Sequence, residues 1–193
     1  MSTHVASELA RYRFSAADSK FTAQAFAEGL FSAFGHDPII GIKEFAGEAK
    51  FVSSTFENAS LQLTINAASL SVIDNVKPKD RDELERTMKD DVLEVGKFPE
   101  IVFKSKNVSL SRIAEGRYRA RVIGDLTLHG VTQNNVWISG EVLVADDELR
   151  AKGEFPIRQT DYKIKPVSVA GGTLKVKNEV KCTFDIVARS TQE

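Results

Sequence analysis

Three histidines and one cysteine are the side chains of this chain with the most chemistry to offer. His4, His36 and His129 form neither the His-x-x-x-His nor the His-Glu-x-x-His spacing that places two imidazoles on one metal ion. A metal site would therefore need ligands gathered from distant strands. The single Cys182 excludes an intrachain disulfide, a Cys-x-x-Cys redox pair and a cysteine-rich zinc site. We expect no metal and no cofactor.

An acid-base pair is the remaining route to catalysis. His36 precedes Asp37 in a turn, where a carboxylate could fix the tautomer of a general-base imidazole. Adjacent residues of an extended segment face opposite ways, so we interpret His36 as a turn residue. His129 beside Gly130 is typical of a hairpin turn, and the common nucleophile and phosphate-binding motifs are missing from the sequence. We predict no catalytic residue; a lipid-acting enzyme that uses His36 and Asp37, or His129, is the alternative.

The composition indicates a folded protein without a polyelectrolyte partner. Among 193 residues, 42% are hydrophobic, and the counts of basic and acidic side chains are nearly equal at 26 and 27. A net charge of -1 cannot neutralise several phosphates, which argues against nucleic acid as a ligand. We predict a single domain over residues 1–193, with 1–10 as a leading segment and 190–193 as a tail. The start of the chain lacks an apolar secretory segment, which predicts a cytoplasmic location, or a periplasmic one if a leader was trimmed.

Alternation of apolar and polar residues is the dominant pattern. It is clearest at residues 117–128 and 174–188, where one phase is apolar and the other is charged or polar. Successive side chains of a strand point to opposite faces, so these segments predict antiparallel strands with one buried face. Together with weaker patterns they make seven or eight strands, several of them long. The weaker patterns lie at residues 11–16, 20–27, 39–52, 61–65, 101–103, 132–144 and 149–157.

Only one helix is predicted, over about residues 81–93. Asp80 is placed to cap its first turn, and Leu84, Met88 and Val92 form an apolar stripe. A helix of about 13 residues is about 20 Å long, too short to cover the apolar face of a tall sheet. The sheet must therefore close on itself. We predict an all-β fold, an elongated eight-stranded antiparallel barrel with one α-helix, whose interior holds side chains or one elongated apolar ligand.

The strand phases also predict which side chains line the barrel. If the apolar phase faces inward, Lys177 and the other charged residues of these strands face water. Phe31 and Phe34 belong to a set of loop phenylalanines, and aromatic rings at a barrel mouth suit an apolar chain. The predicted lining residues are Tyr118, Val122, Leu126, Val176, Val180 and Phe184.

Several motifs follow one another in order over most of the chain. Phe98–Ser105 reads Phe-Pro-x-Ile-x-Phe-x-Ser, and Leu126–Thr132 reads Leu-Thr-Leu-His-Gly-Val-Thr. Phe31–His36 precedes them, and Asp74–Asn75 is followed by the helix start Arg81–Glu83. This set resembles the YceI-like family.

The resemblance implies a lipocalin-like barrel around a hydrophobic tunnel that binds a polyisoprenoid chain or an isoprenoid quinone. The function it implies is non-enzymatic binding, storage or transport of that lipid, with transient membrane contact. Head-group selectivity would need polar residues at one mouth, and we interpret His36, Arg158 and Tyr162 as such residues. A ligand-free structural or stress-response protein is a further alternative.

The resemblance also favours a homodimer. Trp137 and Leu143 lie on the opposite phase from the apolar residues Ile138 and Val142. In a barrel they would face outward and supply apolar surface to bury between two subunits.

Overall fold

Long antiparallel strands form a closed barrel in the computed structural model, which describes residues 9–28, 37–53, 55–145, 147–169 and 174–191. The strands are β1 (Leu9–Gln24), β2 (Ala27–Glu28), β3 (Ile39–Gly41), β4 (Phe45–Val52), β5 (Ser60–Asn66), β6 (Ser71–Val72), β7 (Glu100–Ala114), β8 (Arg117–Leu128), β9 (Val131–Ala145), β10 (Glu148–Arg158), β11 (Ser168–Val169), β12 (Leu174–Val176) and β13 (Glu179–Ser190). The barrel order is β13, β10, β9, β8, β7, β5, β4, β1, and β1 returns to β13. The predicted eight-stranded antiparallel barrel is confirmed.

The seam between β1 and β13 closes the barrel. Their register runs from Tyr12 opposite Ser190 to Gln24 opposite Lys181, with a bulge between Ser15 and Lys20. Inside the bulge, the hydroxyl of Ser19 accepts a hydrogen bond from the Val187 amide at 2.9 Å, so this donor stays paired where the ladder is interrupted. Closure removes the long free edges that an open sheet of these strands would expose.

One α-helix is present among the described residues, and it lies over one end of the barrel. α1 (Pro78–Arg86) continues as a π-helical turn to Val92. The prediction that Asp80 caps this helix is wrong: the helix begins at Pro78, whose fixed φ suits the first helical position, and Lys77 precedes it without a side-chain cap. Among the described residues, no helix is long and apolar enough to cross a membrane.

Two contacts fasten the helix to the barrel. Arg81 donates from Nη2 to the Asp74 carbonyl at 2.9 Å, and Glu85 accepts from the Val72 amide of β6 at 2.9 Å. Met88, the next apolar residue of the stripe, packs against the barrel core. The polar residues of the helix thus attach it to the barrel, and its apolar residues cover the barrel's end.

The two ends of the barrel differ. At the helix end, α1 and its flanking segments connect β5 to β7, and His129–Gly130 connects β8 to β9. At the opposite end, which we call the hairpin end, short connections join β4 to β5, β7 to β8 and β9 to β10. Because successive strands run in opposite directions, the connections alternate between the two ends. One end is covered by the helix, and the other carries the short loops.

Ion pairs cover the outer face near the seam. Arg150 on β10 holds the Asp185 carboxylate of β13 with two hydrogen bonds, Nε to Oδ1 at 2.6 Å and Nη2 to Oδ2 at 2.8 Å. Lys152 adds a contact of 3.0 Å to Oδ2. Hydrogen bonding to the Arg150 guanidinium lowers the pKa of Asp185 from 3.8 to about 2. The carboxylate is therefore ionised at neutral pH.

We call the ion pairs of Asp185 with Arg150 and Lys152 the clamp. We expect the clamp to make the free energy of unfolding depend on pH in the acid range. Because the pKa of Asp185 is lower in the folded chain, its contribution is complete above about pH 4 and is lost as the pH falls to about 2. Thermal unfolding midpoints measured between these pH values should fall less steeply for Asp185→Asn than for the wild type. Identical slopes would contradict a stabilising role for the clamp.

Candidate functional site

A cavity of about 670 Å³ runs inside the barrel. This volume is typical of sites for small organic ligands. Every barrel strand contributes inward-facing apolar side chains, and a few polar residues reach the cavity from its ends. Representative lining residues are Phe21 of β1, Leu63 of β5, Phe103 of β7, Ile138 of β9 and Phe155 of β10. The cavity is suited to an elongated molecule without charge along most of its length.

The interior stays open at the middle because small residues lie beside large ones. Phe184 of β13 extends across its neighbour β10, where Gly153 is its register partner. A Cβ at Gly153 would lie 2.6 Å from the Phe184 ring, and one at Gly140 of β9 would lie 3.2 Å from it. The two glycines therefore leave room for the Phe184 ring beside β9 and β10.

Five of the predicted lining residues lie at the cavity. They are Val122, Leu126, Val176, Val180 and Phe184. Phe31, Phe34 and His36 lie outside the described residues.

Three predicted residues lie away from the cavity wall. Tyr118, on the inward phase of β8, is at the hairpin end, where its ring packs against Phe56 with centroids 4.6 Å apart. Arg158 follows the inward Ile157 on β10 and is exposed. Tyr162 is only 3% exposed, and burial raises the pKa of its hydroxyl to about 12. Tyr162 is therefore part of the packed core at the helix end.

His129 lies outside the cavity, in the turn between β8 and β9. Its φ of 52° and the φ of 69° at Gly130 give the two-residue turn that joins twisted strands. The imidazole contacts the carbonyl oxygen of Tyr162 through Nδ1 at 3.2 Å and the Glu94 carboxylate through Nε2 at 2.9 Å. Its ring also packs on Phe98, with centroids 4.6 Å apart.

Both ring nitrogens of His129 are engaged by neighbouring oxygen atoms, and the residue does not line the cavity. Hydrogen bonds from Lys97 and from His129 lower the pKa of the Glu94 carboxyl. His129 therefore links the segment after the helix to the β8–β9 turn.

Polar groups at the cavity come mainly from the helix end. Asp80, Glu83 and Thr87 reach it from the helical segment, and Lys175 reaches it from β12. Gln159, at the end of β10, is buried, lines the cavity and donates from Nε2 to the Lys177 carbonyl at 2.9 Å. Gln159 is not among the residues predicted from the sequence, because a glutamine after a strand carries no signal of burial.

Cys182 is the remaining side chain at the cavity wall that could take part in chemistry. Burial raises the pKa of its thiol to about 12, which makes it an unreactive packing residue near neutral pH. Over the described part of the chain, no three His, Cys, Asp or Glu side chains come together as metal ligands would.

Comparisons with known sequences point to one family. The sequence profile of the YceI-like domain matches residues 12–188. A UPF0312 protein of Pseudomonas fluorescens is 33% identical over 111 residues, which make up 56% of this chain and 53% of that protein. The aligned chain thus spans about half the length of that relative.

Solved structures share the fold at low sequence identity. BcnA of Burkholderia cenocepacia is 20% identical with a TM-score of 0.66, covering 90% of this chain and 98% of that one. A polyisoprenoid binding domain from Saccharophagus degradans, implicated in plant cell wall breakdown, is 14% identical with a TM-score of 0.67, covering 95% and 100%. The YceI protein of Campylobacter jejuni is 17% identical with a TM-score of 0.59, covering 82% and 88%.

We predict that enlarging a lining residue blocks the cavity. Val122→Phe and Val180→Phe should each weaken uptake of parinaric acid, a fluorescent polyene chain, at a cost to stability of about 1–3 kcal/mol. Lys177→Ala is the matched control, because its side chain is exposed on the outer phase next to the same wall. If Lys177→Ala abolished uptake and Val180→Phe left it intact, the ligand would lie outside the barrel.

Proposed function

The chain belongs to the YceI-like family, and on that premise we propose that its cavity binds a long apolar isoprenoid lipid, either a polyisoprenoid or an isoprenoid quinone. The protein stores or carries this lipid and does no chemistry on it. The observation that carries the proposal is the elongated apolar cavity, to which all eight barrel strands contribute. The structural likeness to a domain whose name states polyisoprenoid binding supports the ligand class.

Burial of hydrocarbon supplies the binding energy. Each methylene group removed from water is worth about 0.8 kcal/mol, so a chain of several isoprene units gains affinity with length. The phenylalanine rings along the wall, such as Phe21, Phe155 and Phe184, present flat apolar faces to such a chain.

The polar end of the lipid lies at the helix end in this proposal. Gln159 is buried there beside the cavity, and Lys175 offers a positive charge to an anionic or polar head group. Arg158 and Tyr162, which flank or follow Gln159 in the chain, position this segment. Transient contact with a membrane would occur at the same end, where Ile73 is 46% exposed beside the helix.

A carrier role is favoured over an enzymatic one by the state of His129. Its two ring nitrogens are both occupied, and the residue lies outside the cavity. The thiol of Cys182 is buried and protonated. Neither group can begin a reaction on a chain in the lumen.

Native mass spectrometry of protein purified from its natural host tests the proposal. We expect a co-purified mass that matches an isoprenoid lipid and is absent from the Val180→Phe variant. Repeated recovery of wild-type protein without lipid, together with no uptake of added polyprenols, would contradict it.

A homodimer is the assembly that the outer surface supports. Trp137 on β9 is 63% exposed and Leu143 is 44% exposed on the same strand, while Ile113 of β7 is 46% exposed. Large apolar side chains on one outer face are typical of a surface that a partner covers.

We expect light scattering at micromolar concentration to give the mass of a dimer. Trp137→Glu should shift the protein to a monomer, because it places a charge on the apolar face. Ser139→Glu, on the same outward phase but without an apolar ring, is the control. A monomeric wild type would rule the homodimer out.

A further inference from the structure

Four aromatic rings cross the hairpin end of the barrel. Tyr12 of β1 stacks on Phe51 of β4 with ring centroids 5.5 Å apart, and Phe51 contacts Phe56 at 5.0 Å. Phe56 contacts Tyr118 of β8 at 4.6 Å. In the barrel order, β5 and β7 separate β4 from β8, so this row reaches across the opening. We call these four residues the aromatic plug.

Phe56 reaches the centre of the plug from a tight loop. Its amide donates to the Val52 carbonyl at 2.8 Å, and the Val52 amide donates to the Glu57 carbonyl at 3.0 Å. The φ of Phe56 is 59°, in the left-handed region that costs a bulky residue free energy. Its ring contacts on both sides hold it in that conformation.

The plug lies where the barrel wall is incomplete. β5 begins only at Ser60, and its register with β7 ends at Gln62 opposite Lys104. Beyond that point β7 continues to Ala114 with β8 as its ladder partner. The loop that carries Phe56 occupies the space that a longer β5 would fill.

Phe51 and Phe56 also form part of the cavity lining, whereas Tyr12 and Tyr118 brace them from outside it. Phe51 and Phe56 therefore present aromatic faces to the cavity at the hairpin end, beside small and aliphatic residues such as Ala59 and Val144. Polar lining residues lie at both ends: Lys50 and Ser60 at this end, and Asp80, Glu83 and Gln159 at the other.

We propose that the aromatic plug sets the longest hydrocarbon chain that the cavity holds, with Phe56 as the residue that determines this length. The inference rests on the proposed function, since it names which isoprenoid lengths fit. A chain whose polar end lies at the helix end is buried along the barrel until its tail meets Phe51 and Phe56. Further isoprene units stay in water and add no affinity.

The test uses a substitution that suits the backbone at Phe56. Phe56→Gly removes the ring and relieves the cost of the positive φ, so the loop is expected to keep its path. Asn58→Gly is the matched control, because Asn58 has a φ of 53° in the same loop and lies outside the row of rings. Phe56→Leu, with a smaller apolar side chain, is the intermediate variant.

The full chain is incubated with an equimolar mixture of farnesol, geranylgeraniol, octaprenol and undecaprenol, and the bound masses are read by native mass spectrometry. The wild type should show occupancy that rises with length and then stops rising. Each newly buried methylene improves affinity about fourfold. The occupancy of the longest bound chain, relative to the shorter chains, should therefore be at least about tenfold higher in Phe56→Gly than in the wild type. Asn58→Gly should keep the wild-type profile, and Phe56→Leu should lie between.

An unchanged profile in Phe56→Gly would overturn the proposal, and so would an equal shift in Phe56→Gly and Asn58→Gly, which would assign the effect to loop mobility. A parallel series of straight-chain n-alkanols separates this inference from the proposed function. Uptake of alkanols with a length limit that Phe56→Gly removes, but no uptake of prenols, would refute the isoprenoid ligand and support the plug. Uptake of neither class would refute both.

Discussion

Closure of the sheet is the constraint on which the rest of this structure depends. Strands as long as β1, β7 and β9 carry one apolar face each, and the helical segment of Pro78–Val92 can cover only an end. The pairing of β1 with β13 hides these faces from water by turning them toward one another. The cavity is a direct result, because eight strands enclose more space than their inward side chains fill.

Because the cavity wall is apolar along its length, the groups that can distinguish one ligand from another lie at the two ends of the barrel. Along the wall, residues such as Leu63 and Ile138 offer only contact with hydrocarbon. They cannot distinguish one methylene group of a chain from the next. At the helix end, Gln159 and Lys175 present polar groups. At the hairpin end, Phe51 and Phe56 present rings. In the function proposed for this cavity, the middle of the barrel supplies burial for a long chain, and the two ends supply the groups that can discriminate between chains.

The sequence predicted the barrel well because alternation records which face of a strand is buried. The phase of β8 and β13 correctly placed Val122 and Phe184 on the inner face at the cavity. Phase does not record which neighbours cover a side chain, so Tyr118 shares the inward phase and yet packs against Phe56 without lining the cavity. Gln159 was not predicted, because tertiary contacts bury it and no periodicity signals that burial. Phe56 is one of the loop phenylalanines of the sequence, but its positive φ and its place in a row of rings depend on tertiary contacts.

The same reasoning explains why histidines were poor guides to function. His129 attracts attention as a possible base, but its nitrogens join three segments at the helix end: its own turn, the Glu94 loop and the Tyr162 turn. Within the part of the chain that the structure describes, His129 holds these segments together and Cys182 packs in the core, while the cavity wall is made mainly of apolar side chains. A carrier, the function proposed for this chain, would need its mouth held in shape more than it would need a reactive group.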